Sequence, residues 1–304
     1  MKIFITGATG YIGGTVAARL VAAGHQVTGL VRSAPGEDAV RRRGITPLRG
    51  ELADRAVLAD AARRADAVIN AANSDNRDIV ESVLPALHGT GKTFIQTSGS
   101  SIVGDKAGGT LGTRIYDEET PVRPLSEKAP RVAINNEVLD AAKHGVRAIV
   151  LCPSLIYGTG AGIHTESVQV PRLIALAKQS GVARHVGAGE NIWSNVHIDD
   201  VAALFLLALD KASAGSFFYA ENGEASMKSV AQAISRMLGM DGTTKPWPLD
   251  EAAREWGRES AEFTFASNSR VRARKARQML GWSPEGPPLL VDIEHGSYRR
   301  AQTA

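Results

Sequence analysis

The segment Thr6-Gly7-Ala8-Thr9-Gly10-Tyr11-Ile12-Gly13 constrains the fold of this chain more than any other. It follows a short apolar run, Lys2 to Thr6, and opens a stretch of helical spacing, Thr15 to Ala23, that stops at Gly24. Each glycine has a separate task in such a strand–loop–helix unit. Gly7 permits the tight turn, Gly10 lets a pyrophosphate approach the backbone, and Gly13 lets the helix pack close to the strand. Free amides and the dipole at the helix start then attract phosphate. Glycine spacing alone is weak evidence; here strand, loop and helix stand in the order that gives it meaning.

The same alternation continues downstream. Strands are expected at His25 to Val31, Ile45 to Arg49, Ala67 to Asn70, Thr93 to Gln96 and Arg147 to Leu151. Helices are expected between them: one containing Ala39 to Arg43, then Ala53 to Arg64, 76–88 and 131–143. Strands alternating with helices of this length predict an α/β fold, a doubly wound parallel sheet that takes its ligand at the carboxyl ends of the strands. The regularity fades after Tyr157. Helices are expected at Pro171 to Gln179, at Asp199 to Ala208 with Asp199 or Asp200 as cap, and at Val230 to Leu238 with Ser226 as cap, and a strand at Ser216 to Ala220. The division expected is a dinucleotide-binding domain over 1–157, with 190–220 returning to it, and a smaller substrate lobe over most of 158–304.

Composition removes other classes. The chain has 304 residues, 43% hydrophobic, enough for a full core, so disorder is excluded for its bulk. Its 35 Lys and Arg against 32 Asp and Glu leave +3, too even to argue for nucleic acid. The basic run Arg270, Arg272, Arg274, Lys275 and Arg277 reads as a solvated helix face. A single cysteine, Cys152, cannot form an internal disulfide; it ends an apolar run and reads as a buried thiol in a cytoplasmic protein. No stretch reaches the roughly 18 apolar residues of a membrane span. The seven histidines show no metal-ligand spacing, and there is neither a Gly-x-Ser-x-Gly elbow nor a Walker loop.

With these residues in place the chain resembles the extended and atypical short-chain dehydrogenase/reductases, the NAD(P)-dependent epimerase/dehydratase group. The glycine loop carries the likeness, and further segments extend it along nearly the whole chain. Gly50-Glu51-Leu52 is similar to the segment bordering the adenine, and Val68-Ile69-Asn70-Ala71-Ala72 to the strand end beside the cofactor ribose. Pro153-Ser154-Leu155-Ile156-Tyr157-Gly158 resembles the loop over the nicotinamide. Val196-His197-Ile198-Asp199-Asp200-Val201-Ala202 and Leu280-Gly281-Trp282-Ser283-Pro284 match signatures of the second half. The resemblance implies a cofactor held by Gly7, Thr9, Gly10, Tyr11, Ile12, Gly13, Glu51, Leu52, Asn70, Ala71, Ala72, Thr97, Pro153, Leu155 and Ile156. It also implies a homodimer.

The end of the second strand bears on which nicotinamide cofactor is used. A carboxylate there pairs with the ribose hydroxyls of NAD. This chain has Gly29-Leu30-Val31-Arg32-Ser33 instead, so Arg32 and Ser33 are expected to hold a 2′-phosphate. NADP(H) is preferred, with NAD(H) as the alternative.

The resemblance breaks at the catalytic pair. Family members carry Ser or Thr, then Tyr-x-x-x-Lys, where Tyr is the acid or base at the substrate carbonyl. None of Tyr11, Tyr116, Tyr157, Tyr219 and Tyr298 is followed by Lys four residues on. One helix register puts Arg131 at the Lys position and Glu127 at the Tyr position; another, pairing Glu137 with the family's helix Glu, gives Ala133 and Ala129. The first keeps a cation for the ribose and is preferred. Thr97-Ser98-Gly99-Ser100-Ser101 resembles the family's serine strand, with Ser98 the first choice and Ser100 the second. Tyr116, Tyr157, Glu127 or a water then serves as proton donor, with Arg131 as the nearby cation. His197 is expected at a helix start, in binding or packing.

The expected function is NADP(H)-dependent hydride transfer to or from a small carbonyl or alcohol substrate. An epimerase or dehydratase, and a non-catalytic NADP(H) sensor, are the rivals; loss of Tyr-x-x-x-Lys favours the sensor, and the serine strand an enzyme.

Overall fold

The computed structural model describes residues 1–303. In chain order its first elements are β1 (Lys2–Thr6), α1 (Tyr11–Ala22), β2 (Gln26–Val31), α2 (Ala34–Arg41), β3 (Thr46–Arg49), α3 (Arg55–Arg64), β4 (Ala67–Asn70), α4 (Asp78–Leu87), β5 (Thr93–Thr97), β6 (Tyr116–Asp117), α5 (Ala129–Asp140) and β7 (Arg147–Pro153). There follow β8 (Leu155–Tyr157), α6 (Gln169–Ser180), β9 (Ala183–Val186), β10 (Ile192–His197), α7 (Ile198–Lys211), β11 (Ser216–Ala220), β12 (Glu224–Ser226) and α8 (Met227–Met237). The chain continues with β13 (Thr244–Trp247), α9 (Leu249–Trp256), α10 (Arg258–Ser260), β14 (Val271–Arg272), α11 (Arg274–Leu280), α12 (Leu289–His295) and α13 (Ser297–Thr303).

Seven strands form one parallel sheet in the order β11-β7-β5-β4-β1-β2-β3. Strand residues alternate between its two faces, as the period of a β-strand requires. Ile3, Ile5, Ile69, Ile95 and Ile149 pack with residues of α1, α7 and α11. Phe4, Val68, Phe94, Ala148 and Val150 pack with α3, α4 and α5 on the other side. The strand order reverses at β1, between β4 and β2, which opens a crevice at the carboxyl ends of these strands. A separate core joins Leu155 and Tyr157 to α6, α8 and α12.

Several local expectations need correction. The helix expected around Ala39 begins earlier, at Ala34, because Ser33 caps it and Pro35 sits in its first turn, where a missing N–H costs nothing. Neither Asp199 nor Asp200 caps α7: His197 does, its Nδ1 accepting the Asp199 N–H at 3.3 Å. Asp200 is buried and accepts the backbone N–H groups of Glu285 and Gly286, tying α7 to the C-terminal segment. The basic run is not one solvated helix face. Arg270 precedes β14 and Arg272 ends it, and both pair with Glu224; Arg274 pairs with Asp117, and Arg277 pairs with Glu221.

Candidate functional site

The loop after β1 is shaped by close backbone packing. Gly7 has φ +76°, and a Cβ there would lie 2.3 Å from the Ala71 carbonyl oxygen. A Cβ on Gly13 would lie 2.3 Å from the Gly7 oxygen. Both positions therefore admit only glycine. Gly10 stands at the N-terminus of α1 without any side-chain cap, leaving the amides of the first turn directed at a ligand.

In front of that turn lies a cleft of about 600 Å³. It is lined by Gly7, Thr9 and Gly10 of the loop, Arg32 after β2, Glu51 and Leu52 after β3, and Ala71 and Ala72 after β4. Asn73, Asn76, Asp78 and His164 complete it. Arg32 makes no ion pair among the described residues. Ser33 does not join the lining; its Oγ accepts the Gly36 N–H as the cap of α2.

The remaining residues expected at the cofactor divide in two. Tyr11, Ile12, Pro153 and Ile156 line a second cavity, of about 340 Å³. Asn70, Thr97 and Leu155 are buried, and the cleft lining excludes them. Asn70 accepts the Thr6 hydroxyl at 2.6 Å and donates to Gln96 Oε1 at 2.9 Å, so it braces the strand ends from within. Leu155 packs in the core of the second lobe.

The second cavity gathers the serine segment and Arg131. Its wall includes Ser98, Gly99, Ser100, Ser101 and Arg131, opposite Trp193, Val168 and Ile156. Two residues one turn apart on α5 reach the serine segment. Arg131 Nη1 donates to Ser101 Oγ at 3.0 Å, and Asn135 Nδ2 donates to Ser98 Oγ at 2.9 Å. Ser98 and Ser101 thus each accept from α5; the buried Ser98 hydroxyl also hydrogen-bonds the Cys152 thiol, whereas Ser101 keeps its own O–H for the cavity. Ser100 accepts from Ser269 Oγ at 2.8 Å and is 1% exposed.

Arg131 is itself held from behind. Its Nε donates to Asp75 Oδ1 at 2.8 Å and its Nη2 to Asp75 Oδ2, a bidentate pair. That hydrogen-bonded guanidinium keeps the Asp75 carboxyl below its ordinary range. Asp75 lies in the β4–α4 turn, between Asn73 and Asn76 of the first cleft. One short turn therefore lines the first cleft and, through Asp75, holds an arginine of the second cavity.

The proton donors expected from the sequence are placed elsewhere. Tyr157 is fully buried, its hydroxyl donating to the Pro287 carbonyl at 2.6 Å, and burial pushes its pKa up. Glu127 lies outside α5 and pairs with Lys106, whose hydrogen bond holds the carboxyl at about 2. Tyr116 sits in β6, buried under the Arg114 guanidinium. His197 packs edge-on against Tyr157 and does not line the cavity. Cys152 is buried, with its thiol pushed up to about 12 by burial, so it is no nucleophile. Sequence reasoning missed Asp75, Ser101 and Asn135. The signal available was the spacing of Arg131 and Asn135, which repeats the i, i+4 face of the absent Tyr and Lys.

A third cavity, about 700 Å³, lies at the amino ends of β1 and β2, lined by Lys2, His25 and Arg64. It is at the opposite end of the sheet from the glycine loop. Among the described residues no cluster of side chains could hold a metal ion, and no helix is long and apolar enough to cross a membrane.

Known proteins share this design. The model of the NAD dependent epimerase/dehydratase family matches residues 3–218. An uncharacterised protein of Schizosaccharomyces pombe is 33% identical over 314 residues, covering 98% of this chain and 100% of that one. A 2-alkyl-3-oxoalkanoate reductase of Stenotrophomonas maltophilia is 30% identical over 248 residues, 74% of this chain and 71% of the relative. Among solved structures, UDP-glucose 4-epimerase of Thermotoga maritima with UDP-glucose has TM-score 0.77 at 18% identity, covering 100% of this chain and 99% of that one. The dTDP-glucose 4,6-dehydratase of Bacillus anthracis with NAD has TM-score 0.78 at 17% identity, covering 99% and 97%. At that identity the likeness to the solved structures is one of fold. The family match and the full-length relative decide the assignment: this chain belongs to the NAD-dependent epimerase/dehydratase family.

Proposed function

We propose that the protein is an NADP(H)-dependent reductase of a small, uncharged carbonyl compound. The single observation that carries this reading is the pair of serines, Ser98 and Ser101, each backed by an α5 donor at the wall of a small cavity beside the dinucleotide cleft.

The residues present fit a nicotinamide dinucleotide. The glycine cradle admits no Cβ at Gly7 or Gly13, and the uncapped turn at Gly10 presents amides to a pyrophosphate. Arg32 supports a 2′-phosphate, since it stands on the cleft without an ion pair and its fork suits a phosphate. The reduced cofactor supplies the hydride. The protein's part is to orient the acceptor, exclude water and hold its oxygen with Ser101.

Size and charge support an uncharged substrate. Bidentate pairing with Asp75 neutralises Arg131, so the cavity presents no uncompensated charge to a diphosphate. At about 340 Å³, lined by Ile156, Val168 and Trp193, it suits a compact apolar body. Reductases and epimerases both stand among the relatives, so the choice between them rests on the cavity. The test is NADPH absorbance with a panel of small aldehydes, ketones and enones, with NADH in parallel. Consumption of NADPH with one class is expected. Tight NADPH binding without consumption by any member of the panel overturns the reading in favour of a sensor.

A further inference from the structure

We propose that the acceptor is a conjugated one, an α,β-unsaturated ketone or aldehyde reduced at its β-carbon, with Ser101, backed by Arg131, binding the enolate oxygen. The inference rests on the reductase reading above and narrows it to a bond.

The argument comes from the kind of donor that faces the cavity. Ser101 is an alcohol with its O–H to spare, and behind it stands the Arg131 guanidinium; the Ser98 hydroxyl is shared with the Cys152 thiol. Such groups stabilise a negative oxygen by hydrogen bonds but do not surrender a proton near neutral pH. Tyr11, the phenol on the lining, gives its proton to the Gly158 carbonyl at 2.8 Å, and burial pushes its pKa up. Asp75, the carboxylate that touches Arg131, is kept ionised by it and has no proton to give.

The two possible reductions make different demands on that site. Hydride addition to a saturated carbonyl leaves an alkoxide nearly as basic as hydroxide, whose conjugate acid has a pKa of about 15.7. It needs an acid in place. Hydride addition to the β-carbon of an enone leaves an enolate, whose oxygen resembles a phenolate, with a conjugate acid near 10, about that of tyrosine. A hydrogen bond from Ser101, strengthened by the guanidinium behind it, is enough to hold it. The step balances. The hydride, two electrons and one proton, comes from reduced nicotinamide and forms the β-carbon–hydrogen bond. The alkene pair moves between the α-carbon and the carbonyl carbon, and the carbonyl pair goes to oxygen. A proton from water then adds at the α-carbon, giving the saturated carbonyl, hydroxide and oxidised nicotinamide. The Trp193 ring, fixed by its Nε1–H to the Ser267 carbonyl at 2.8 Å, gives a flat wall suited to a planar conjugated body.

Two measurements test this. In the first, NADPH consumption and products are compared for cyclohexenone against cyclohexanone, and for benzylideneacetone against benzylacetone. Consumption with the unsaturated member of either pair, yielding the saturated ketone, is expected. An allylic alcohol, or equal consumption with the saturated members, leaves the reductase standing and overturns the conjugate reading. No consumption with any of the four, or with the wider carbonyl panel, overturns both. The second needs no turnover: para-nitrophenol, an enolate mimic, is titrated against the protein with NADP⁺. Phenolate should bind about tenfold tighter than phenol, a pKa lowering of about one unit, and the preference should vanish in the S101A variant. Equal binding of the two forms contradicts the proposal.

Discussion

Asp75 and Arg131 act as one unit, and the unit can be taken apart. Asp75→Asn keeps the side-chain shape while removing the charge that fixes the guanidinium fork. A hydrogen bond to a charged group is worth roughly 1.5–3 kcal/mol, so turnover should fall about ten- to a hundredfold. NADPH affinity should change far less, because the glycine cradle is untouched, and Asp75→Glu should restore part of the rate. A loss confined to NADPH affinity would assign Asp75 to the cofactor instead. Arg32 gives the complementary case. Arg32→Ala should weaken NADPH binding about tenfold or more and leave NADH binding nearly unchanged, as read by fluorescence titration of each; equal losses would remove the 2′-phosphate from its role. At this scale the sequence was legible where one residue type has one use. Gly7, Gly10 and Gly13 are such positions, and Arg131 was found because a cation was sought. Ser101 and Asn135 were not, because a serine in a run of small residues and an asparagine on a helix each have many uses, and only the fold makes them face one another.

The segment 158–168 is the element that ties the second lobe to the glycine loop. Tyr11 Oη donates to the Gly158 oxygen, the Ala161 N–H donates to Thr15 Oγ1 at 3.1 Å, and the His164 N–H donates to the Thr9 oxygen at 3.2 Å. Gly162 packs so close to α1 that a Cβ there would lie 2.9 Å from both the Gly10 oxygen and the Gly14 Cα. Gly162→Val should therefore displace the segment, lower Tm by several degrees and weaken NADPH binding. An unchanged Tm and affinity would show that the segment is free to move. Nothing in the sequence predicted this clasp, since Gly158 to Gly162 reads as a flexible connection. Strands and helices of the first half were far more legible, because their hydrophobic alternation is local. Where they were misplaced, a cap decided the boundary: Ser33 starts α2 before Pro35-Gly36, and His197 starts α7 before the two aspartates.

The whole molecule buries several acids that are neutral when protonated. Burial raises the pKa values of Tyr11, Tyr157, Tyr219 and Tyr298, and pushes the Cys152 thiol up to about 12. The unfolded chain loses these protons first, from about 8.5 for Cys and about 10 for Tyr. Above those values the native state binds more protons than the unfolded one, so stability falls as pH rises. The urea midpoint should be lower at pH 10 than at pH 7, and Cys152→Ala should flatten the early part of that fall; a midpoint constant to pH 11 would contradict it. The parallel sheet itself was legible, since its order follows from repeated βαβ units and their crossovers. The second cavity was not, because separate segments meet there: the serine segment, α5, β7 and β8 with Pro153 and Ile156, and Trp193 of β10.

Arg131, acting through Ser101, is proposed to stand in for the Tyr-x-x-x-Lys pair of the family. The most direct test is Arg131→Ala, followed in one preparation by NADPH oxidation with the best carbonyl substrate and by NADPH fluorescence titration. Turnover should fall by about a hundredfold or more, with NADPH affinity within a few-fold of the unmodified protein. Lost NADPH affinity with turnover intact at saturating cofactor would contradict it and make Arg131 a cofactor ligand.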